Sequence, residues 1–221
     1  MKNNIFPNNV NFFNKEIKRR KNWLRNNNDK KADKDWKIIF QKIKKNKDFE
    51  KVRLAYNFSK NLKYNHPGLD SHIYFYHPLR VCILSTKIAP KLSSQLMTLC
   101  LLHNIFETTN MKKSIIDKIF GKKIGSELKI LTIDRKKEWK KNYKKNYYAN
   151  IKKANKFVII VKILDKLDNL YLLRNNKNCK IRKRYLKEIE KYLMPLIKKE
   201  LGNLYLHFEN LIKFSKHEHV I

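Results

Sequence analysis

The sequence is poor in glycine and proline and has no long apolar segment. It contains 4 Gly and 5 Pro among 221 residues, which leaves few turns for a many-stranded β fold and favours long helices. The densest apolar stretches, residues 99–102 and 157–161, are far shorter than a membrane span. Residues 1–14 contain no continuous apolar region, so we predict neither a signal peptide nor a membrane partner.

Cysteine is also scarce, with three residues and no paired spacing. Cys82, Cys100 and Cys179 each have apolar or helical neighbours, as buried reduced thiols do. An odd number of such cysteines argues against a disulfide framework. We therefore predict a cytoplasmic protein.

Acidic residues are few, and the charge is strongly one-sided. The 52 Lys and Arg against 19 Asp and Glu give a formal net charge of +33, which attracts nucleic acid and nucleotides without specifying either. Lys, Asn and Ile are all abundant, as an AT-rich coding sequence would produce, so we favour coding bias over a dedicated nucleic-acid face. A basic nucleic-acid-binding protein that uses residues 18–21 remains a third hypothesis for the function.

The apolar residues recur mostly at helical spacing, so we predict an all-α fold. Residues 1–34 are rich in Asn and Lys and are expected to form a loosely ordered basic arm. Residues 35–221 are expected to form one helical domain, with a motif-bearing core at about 56–173 and C-terminal helices at 180–216. The predicted helices are two within 36–65, then 77–88, 95–108, 114–121, 124–131, 141–151, 157–173, 181–200 and 204–216.

Two histidines and a few carboxylates stand out against this background. His77 and His103 lie among apolar residues, where a polar group without a partner costs a few kcal/mol. Glu107 follows His103 by one helical turn, and Asp165 and Asp168 follow a strongly apolar segment. Imidazole and carboxylate ligands suit Mn, Fe or Zn. Hydrogen-bonded core histidines, with aspartates that pair with lysines, are the alternative.

Five segments in this order resemble the hydrolase domain of the RelA/SpoT alarmone enzymes, which belongs to the HD phosphohydrolase superfamily. They are HPLRV (77–81), LLHNIFETT (101–109), FG (120–121), LT (131–132) and KILDKLDNL (162–170). The resemblance covers about residues 56–173 and implies a small stand-alone form. It implies an all-helical HD-type fold and hydrolysis of a nucleotide pyrophosphate such as ppGpp. It also implies a divalent metal, usually manganese, with iron, zinc or magnesium as alternatives.

The resemblance also assigns roles to individual residues. His77, His103 and Asp165 would be metal ligands, and Glu107 would orient the attacking water. Asn104 falls where the family has an aspartate ligand of the catalytic site, and Asn169 falls where the family has an Asn that contacts the nucleotide. Each of these roles is an expectation from the matched segments.

Three positions depart from the family pattern. Asn104 and Thr108 each replace an aspartate, so two negative charges are missing, and an Asn oxygen compensates none of the metal's charge. Asp168 replaces a histidine, and we hypothesise that it returns one carboxylate to the metal site. The alternative is a catalytically degenerate module that binds a nucleotide or nothing.

Basic and aromatic residues in or near the matched segments are candidates for substrate binding. A phosphate clamp and a base-stacking platform would suit a nucleotide or polyphosphate partner. A solvated basic loop followed by an ordinary amphipathic helix is the alternative. The candidates are Arg80, Arg135, Lys162, Lys166, Tyr143 and Tyr147.

Overall fold

The computed structural model describes residues 6–66, 69–88 and 91–216, and the prediction of an all-α fold is confirmed there. Within these ranges no strand is present, and the one extended contact is an isolated bridge between His66 and Leu69. The helices are α1 (Val10–Asn26), α2 (Lys30–Ile43), α3 (Glu50–Lys60), α4 (Ser71–Tyr74), α5 (Tyr76–Ile88), α6 (Ser94–Leu102), α7 (Ile105–Thr108), α8 (Lys113–Phe120), α9 (Lys122–Leu131), α10 (Lys141–Lys153), α11 (Lys156–Leu173), α12 (Cys179–Glu188), α13 (Met194–Glu200) and α14 (Tyr205–Lys216).

Short polar side chains start several of these helices. Asn9, Asp29, Ser93 and Asn178 accept hydrogen bonds from backbone N–H groups of the first turns of α1, α2, α6 and α12. Such caps satisfy donors that have no partner within the helix. Gly121 separates α8 from α9 with φ +97, a conformation that glycine adopts without strain.

The chain divides into two compact units, and the boundary falls inside α11. The larger unit, residues 28–162, contains α2–α10 and the first part of α11. In this unit α6 packs against both α3 and α5, and every residue from Leu96 to Leu102 is buried. The apolar segment around residue 100 is therefore the centre of the larger unit, because a helix that is apolar on all sides must be enclosed by others.

The smaller unit consists of residues 1–27 and 163–221 and contains α1, the rest of α11 and α12–α14. Its core includes Phe13, Trp23, Tyr171 and Phe208. A π-helical turn, Ile189–Leu193, connects α12 to α13. Among the described residues, no helix combines the length and the apolar character that crossing a membrane requires.

Residues 10–26 differ from the loosely ordered arm that the sequence predicts. They form α1, which buries Phe13, Arg20 and Trp23. These three residues are spaced by seven and three positions, so they share one face of the helix. The domain boundaries proposed from the sequence stay a prediction. Of the cysteines, Cys82 and Cys100 are buried, whereas Cys179 is exposed.

Candidate metal centre

Two buried histidines face each other in the larger unit. His77 lies in the first turn of α5, next to Pro78, a position that tolerates proline because no N–H is needed there. His103 directly follows α6. The Nε2 atoms of the two rings are 3.1 Å apart, and the ring planes meet edge to face at a centroid distance of 5.0 Å. Neither ring has more than a few per cent of its surface exposed.

A break in the helix after residue 102 orients the second of these rings. The sequence predicts one helix over 95–108, but α6 ends at Leu102 and the chain resumes helical geometry at Ile105. The His103 Nδ1–H donates to the carbonyl oxygen of Cys100 at 2.7 Å. Because this bond fixes the proton on Nδ1, the lone pair of Nε2 is available for a ligand.

Asp165 supplies a carboxylate from α11. It is buried, and its Oδ1 accepts a hydrogen bond of 2.7 Å from the side-chain amide of Asn169, one turn later. One ligand atom each from His77, His103 and Asp165 lie within 4.8 Å of one another. The structure therefore brings together three of the five residues that the sequence analysis considers as metal ligands.

The chemistry of this donor set fits a divalent metal ion. Two nitrogens that each bind one ion at about 2.1 Å and subtend roughly a right angle are about 3 Å apart, which agrees with the 3.1 Å between the two Nε2 atoms. Two imidazoles and one carboxylate suit first-row transition metals. The Asn169 and Cys100 contacts are the outer hydrogen bonds that such ligands commonly have.

Asn104 and Thr108 hold each other and a neighbouring aromatic residue. The Asn104 side-chain amide donates to the Tyr74 hydroxyl at 2.7 Å, and the Thr108 hydroxyl donates to the Asn104 backbone carbonyl at 2.7 Å. An amide that donates through its nitrogen keeps its side-chain oxygen as an acceptor. Ligation and catalysis by Asn104 stay predictions.

The Glu107 carboxylate is held at both oxygens. Its Oε1 accepts from the backbone N–H of Ile133 at 2.8 Å, and its Oε2 lies 2.9 Å from Nη2 of Arg135. The Glu107 side chain is 3% exposed, whereas that of Arg135 is 52% exposed. A buried acid one turn after His103 is thus charge-compensated by an arginine that water can reach.

Residues 74–170 match the HD domain family. A solved structure, described as a metazoan ortholog of SpoT that hydrolyzes ppGpp and plays a role in starvation responses, aligns with a TM-score of 0.62 at 20% identity. The alignment covers 75% of this chain and 95% of that one. No curated protein matches the chain.

These two comparisons confirm the predicted resemblance to the HD superfamily. At 20% identity the structural likeness shows the fold. The matched HD range contains His77, His103 and Asp165, so all three residues of the candidate centre lie in the part of the chain that resembles the family. This group of side chains could hold a divalent metal ion.

Asp168, inside the HD range, does not join the three-residue group. Its Oδ1 instead lies 2.7 Å from Nη2 of Arg20. Both side chains are essentially without exposed surface. This contact gives Asp168 a structural role. A role of Asp168 at or next to the metal, and the alternative that Asp165 and Asp168 pair with lysines, stay predictions.

Two of the predicted phosphate-binding cations have buried acidic partners. Nη1 of Arg80 lies 3.3 Å from Oδ2 of Asp29, and both side chains are buried. Nζ of Lys166 lies 2.9 Å from Oε1 of Glu188 and 4.4 Å from the ring centroid of Tyr185. These contacts give each cation a structural role, and phosphate binding by either stays a prediction.

The two tyrosines proposed for base stacking lie beside a separate groove of the larger unit. The hydroxyl of Tyr143 accepts from the backbone N–H of Asp134 at 2.7 Å, and that of Tyr147 donates to the Leu131 carbonyl at 2.6 Å. The Lys162 ammonium lies 5.4 Å from the centroid of the Tyr147 ring. The groove has a volume of about 630 Å³ and is lined by Lys113, Ser126, Lys129, Ile130, Thr132, Tyr143, Asn146, Tyr147, Asn150, Lys153 and Ala154.

His66 belongs to the surroundings of His77, although the sequence places it only in a loop. Its ring stacks on Tyr74 with centroids 4.8 Å apart. Burial lowers the pKa of His66 to about 4, and the positive charge of Arg135 and the proximity of His77 add to that shift. Arg135 therefore brings its charge close to His66 as well as to Glu107.

Sequence reasoning missed Arg20 and Tyr74 as contributors to this region. The Tyr74 hydroxyl partners Asn104, and Arg20 partners Asp168 from a position 148 residues away. The seven-residue and three-residue spacing of Phe13, Arg20 and Trp23 was the available signal for Arg20. Nothing in the sequence connects that face to α11.

Proposed function

We propose that this chain is a metal-dependent phosphohydrolase that acts on a nucleotide pyrophosphate, most closely one of the ppGpp class. The observation that carries the proposal is the buried group of His77, His103 and Asp165. Support for the substrate class comes from the structural neighbour, which is described as hydrolysing ppGpp. Manganese is the proposed ion, with iron, zinc or magnesium as alternatives, and the cytoplasm is the proposed location.

Each residue would have a defined task in this reaction. A divalent ion bound by His77, His103 and Asp165 would supply Lewis-acid activation of water and of a phosphoryl oxygen. Asn169 holds the Asp165 carboxylate in place, and Cys100 holds the His103 tautomer. Glu107 is proposed to orient the attacking water and take its proton.

The anionic substrate would be met by positive charge at Arg135. Its side chain is half exposed and already lies beside the buried Glu107 carboxylate. A guanidinium can form paired hydrogen bonds with a phosphate group, so Arg135 is the best-supported of the proposed phosphate contacts. Asn169, Tyr143 and Tyr147 are further proposed nucleotide contacts, and each already forms a hydrogen bond within the protein.

A catalytically degenerate nucleotide-binding module is the second candidate. The observation that favours it is that each oxygen of Glu107 already has a protein partner, the Ile133 N–H and Arg135. These contacts give the carboxylate a structural role that needs no water. Asn104 and Thr108 add no negative charge that would replace it.

The test is manganese-dependent release of phosphate or pyrophosphate from ppGpp and a panel of other nucleotides. The wild type should bind one ion and hydrolyse ppGpp, and His103→Ala should lower both metal affinity and turnover by at least about a hundredfold. His72→Ala is the matched control, because His72 is exposed, and it should behave as wild type. Metal binding without release across the panel would favour the degenerate module. Absence of metal binding would contradict the proposal.

A further inference from the structure

The groove lined by Tyr143 and Tyr147 has the size of a small-molecule site. Its lining residues come from α8, α9 and α10 and from the residues that directly follow α9 and α10. All of them belong to the larger unit. The volume of about 630 Å³ lies within the roughly 300–1,000 Å³ that is usual for sites of small ligands.

The charge of this groove favours an anion. Three of its lining residues are lysines, Lys113, Lys129 and Lys153, and none of the described residues that line it is acidic. Lys113 also pairs with Asp117, at 2.7 Å, whereas Lys129 and Lys153 are exposed. Lysine commonly binds phosphate groups. An anion that enters the groove therefore meets several ammonium groups and no carboxylate of the lining.

Amide and aromatic side chains of α10 complete the lining. Asn146, Asn150 and Lys153 follow one another at intervals of four and three residues, so they lie on the same face of the helix. The two asparagine amides can donate to phosphate oxygens. Tyr143 and Tyr147 are also one turn apart. Aromatic rings beside cations suit the base and the phosphates of a nucleotide.

Residues 131–135 connect this groove to Glu107 through hydrogen bonds. The hydroxyls of the two tyrosines are hydrogen-bonded to the backbone of residues 131 and 134. Residues 133 and 135 of the same segment hold the Glu107 carboxylate, one through its backbone N–H and the other through its guanidinium. A ligand that restrains the tyrosines therefore also restrains the segment that holds Glu107.

We infer that this groove is a second ligand site, which binds a nucleotide without the metal ion and acts on Glu107 through residues 131–135. None of its lining residues belongs to the group of His77, His103 and Asp165. The inference reassigns the proposed nucleotide contacts of Tyr143 and Tyr147 from the substrate to this second ligand. Its effect on catalysis rests on the proposed function, whereas binding in the groove does not.

Calorimetric titration with ADP and with GDP in the presence of EDTA tests the binding. The wild type should bind at least one of the two nucleotides. Lys129→Glu/Lys153→Glu should weaken that binding at least about tenfold, because two ammonium contacts are lost. Lys123→Glu/Lys152→Glu is the matched control and should bind as the wild type does. It changes the net charge equally, at exposed lysines of the same two helices that do not line the groove.

His103→Ala separates this inference from the proposed function. In EDTA this variant should bind the nucleotide with the affinity of the wild type, and a tenfold loss would place the nucleotide at the histidines and overturn the inference. The inference is equally wrong if neither nucleotide binds the wild type, or if the two double variants bind alike. A wild type that binds the nucleotide but no Mn²⁺ would contradict the proposed function alone.

Hydrogen exchange at the backbone amide of Ile133 measures the link to Glu107. At a nucleotide concentration of about ten times the Kd, a segment that opens only after the ligand leaves opens about tenfold less often. The exchange should slow by this factor in the wild type and stay unchanged in Lys129→Glu/Lys153→Glu. Unchanged exchange in the wild type with the groove occupied would refute the proposed action on Glu107.

Discussion

Two buried carboxylates of this protein are each held by an arginine, in different surroundings. In the larger unit, Glu107 contacts Arg135, whose side chain is 52% exposed. In the smaller unit, Asp168 contacts Arg20, whose side chain is 1% exposed. An exposed arginine can exchange its partner for water or a phosphate at little cost, whereas a buried one cannot. The arginine contact of Glu107 should therefore be exchanged more readily than that of Asp168, as the proposed role of Glu107 in orienting water requires.

The neighbours of each pair reinforce the contrast. Arg20 is enclosed by Glu16 and the Tyr171 ring, so its charge has no contact with water. Arg135 also contacts Glu138 in an exposed position, with Nη1 of Arg135 3.4 Å from Oε2 of Glu138. Its charge is therefore screened by solvent. The free energies of breaking the two pairs should differ several-fold.

The largest expected effect is that of Arg20→Ala on stability. This change removes the guanidinium that contacts the buried Asp168 carboxylate and packs on the Tyr171 ring. Loss of one member of a buried pair costs about 3–5 kcal/mol, a large share of the roughly 5–15 kcal/mol that stabilises a typical domain. Urea unfolding monitored by circular dichroism measures it. A loss below about 1 kcal/mol would show that water reaches Asp168.

A smaller loss of stability is expected when the pH is lowered, because His207 is hydrogen-bonded to the tyrosine on which Arg20 packs. The Tyr171 hydroxyl is hydrogen-bonded to Nε2 of His207, and burial lowers the pKa of His207 from 6.5 to about 4. The folded protein binds a proton at His207 less readily than the unfolded chain does. The contribution of neutral His207 to the free energy of unfolding is therefore complete above pH 6.5, and it is lost as the pH falls from 6.5 through about 4. The loss is roughly 3 kcal/mol.

The variant His207→Gln isolates this contribution from that of the acidic residues. A neutral side chain cannot take up the proton, so the difference in unfolding free energy between wild type and variant should shrink by that amount between pH 7 and pH 4. A difference that stays constant with pH would mean that His207 titrates alike in both states. Urea unfolding at both pH values provides the measurement.

The contrast between the two pairs also marks how far sequence reasoning extends. The helices from α2 onward follow from regular apolar spacing, and α6 could be predicted as central because residues 96–102 are apolar or small on every side. His77 and His103 stood out because an imidazole in an apolar segment needs a partner. That the two rings lie together, with their Nε2 atoms 3.1 Å apart, could be expected from the order of the segments that resemble the HD family.

Other features depend on contacts between distant segments, which local patterns do not reveal. α1 has few apolar residues, and its buried arginine is stabilised by Asp168, 148 positions later. The break between α6 and α7 was missed because apolar residues stand on both sides of it. At the break the His103 ring is hydrogen-bonded to the Cys100 carbonyl, a contact that the sequence does not reveal. The acidic partners of Arg80 and Lys166 could not be predicted either. In a sequence with so many basic residues, no local pattern distinguishes those that form buried ion pairs.

The smallest expected effect, and the sharpest test of the contrast, is that of Arg135→Ala on stability. Glu107 keeps its bond from the Ile133 N–H, and water can replace the half-exposed guanidinium at the other oxygen. The unfolding free energy should therefore fall by less than about 1 kcal/mol. Arg135→Lys serves as the control that keeps the charge and should change stability even less. A loss of about 3 kcal/mol in Arg135→Ala would place Glu107 in the same class as Asp168, as a carboxylate committed to the fold and not free to orient water.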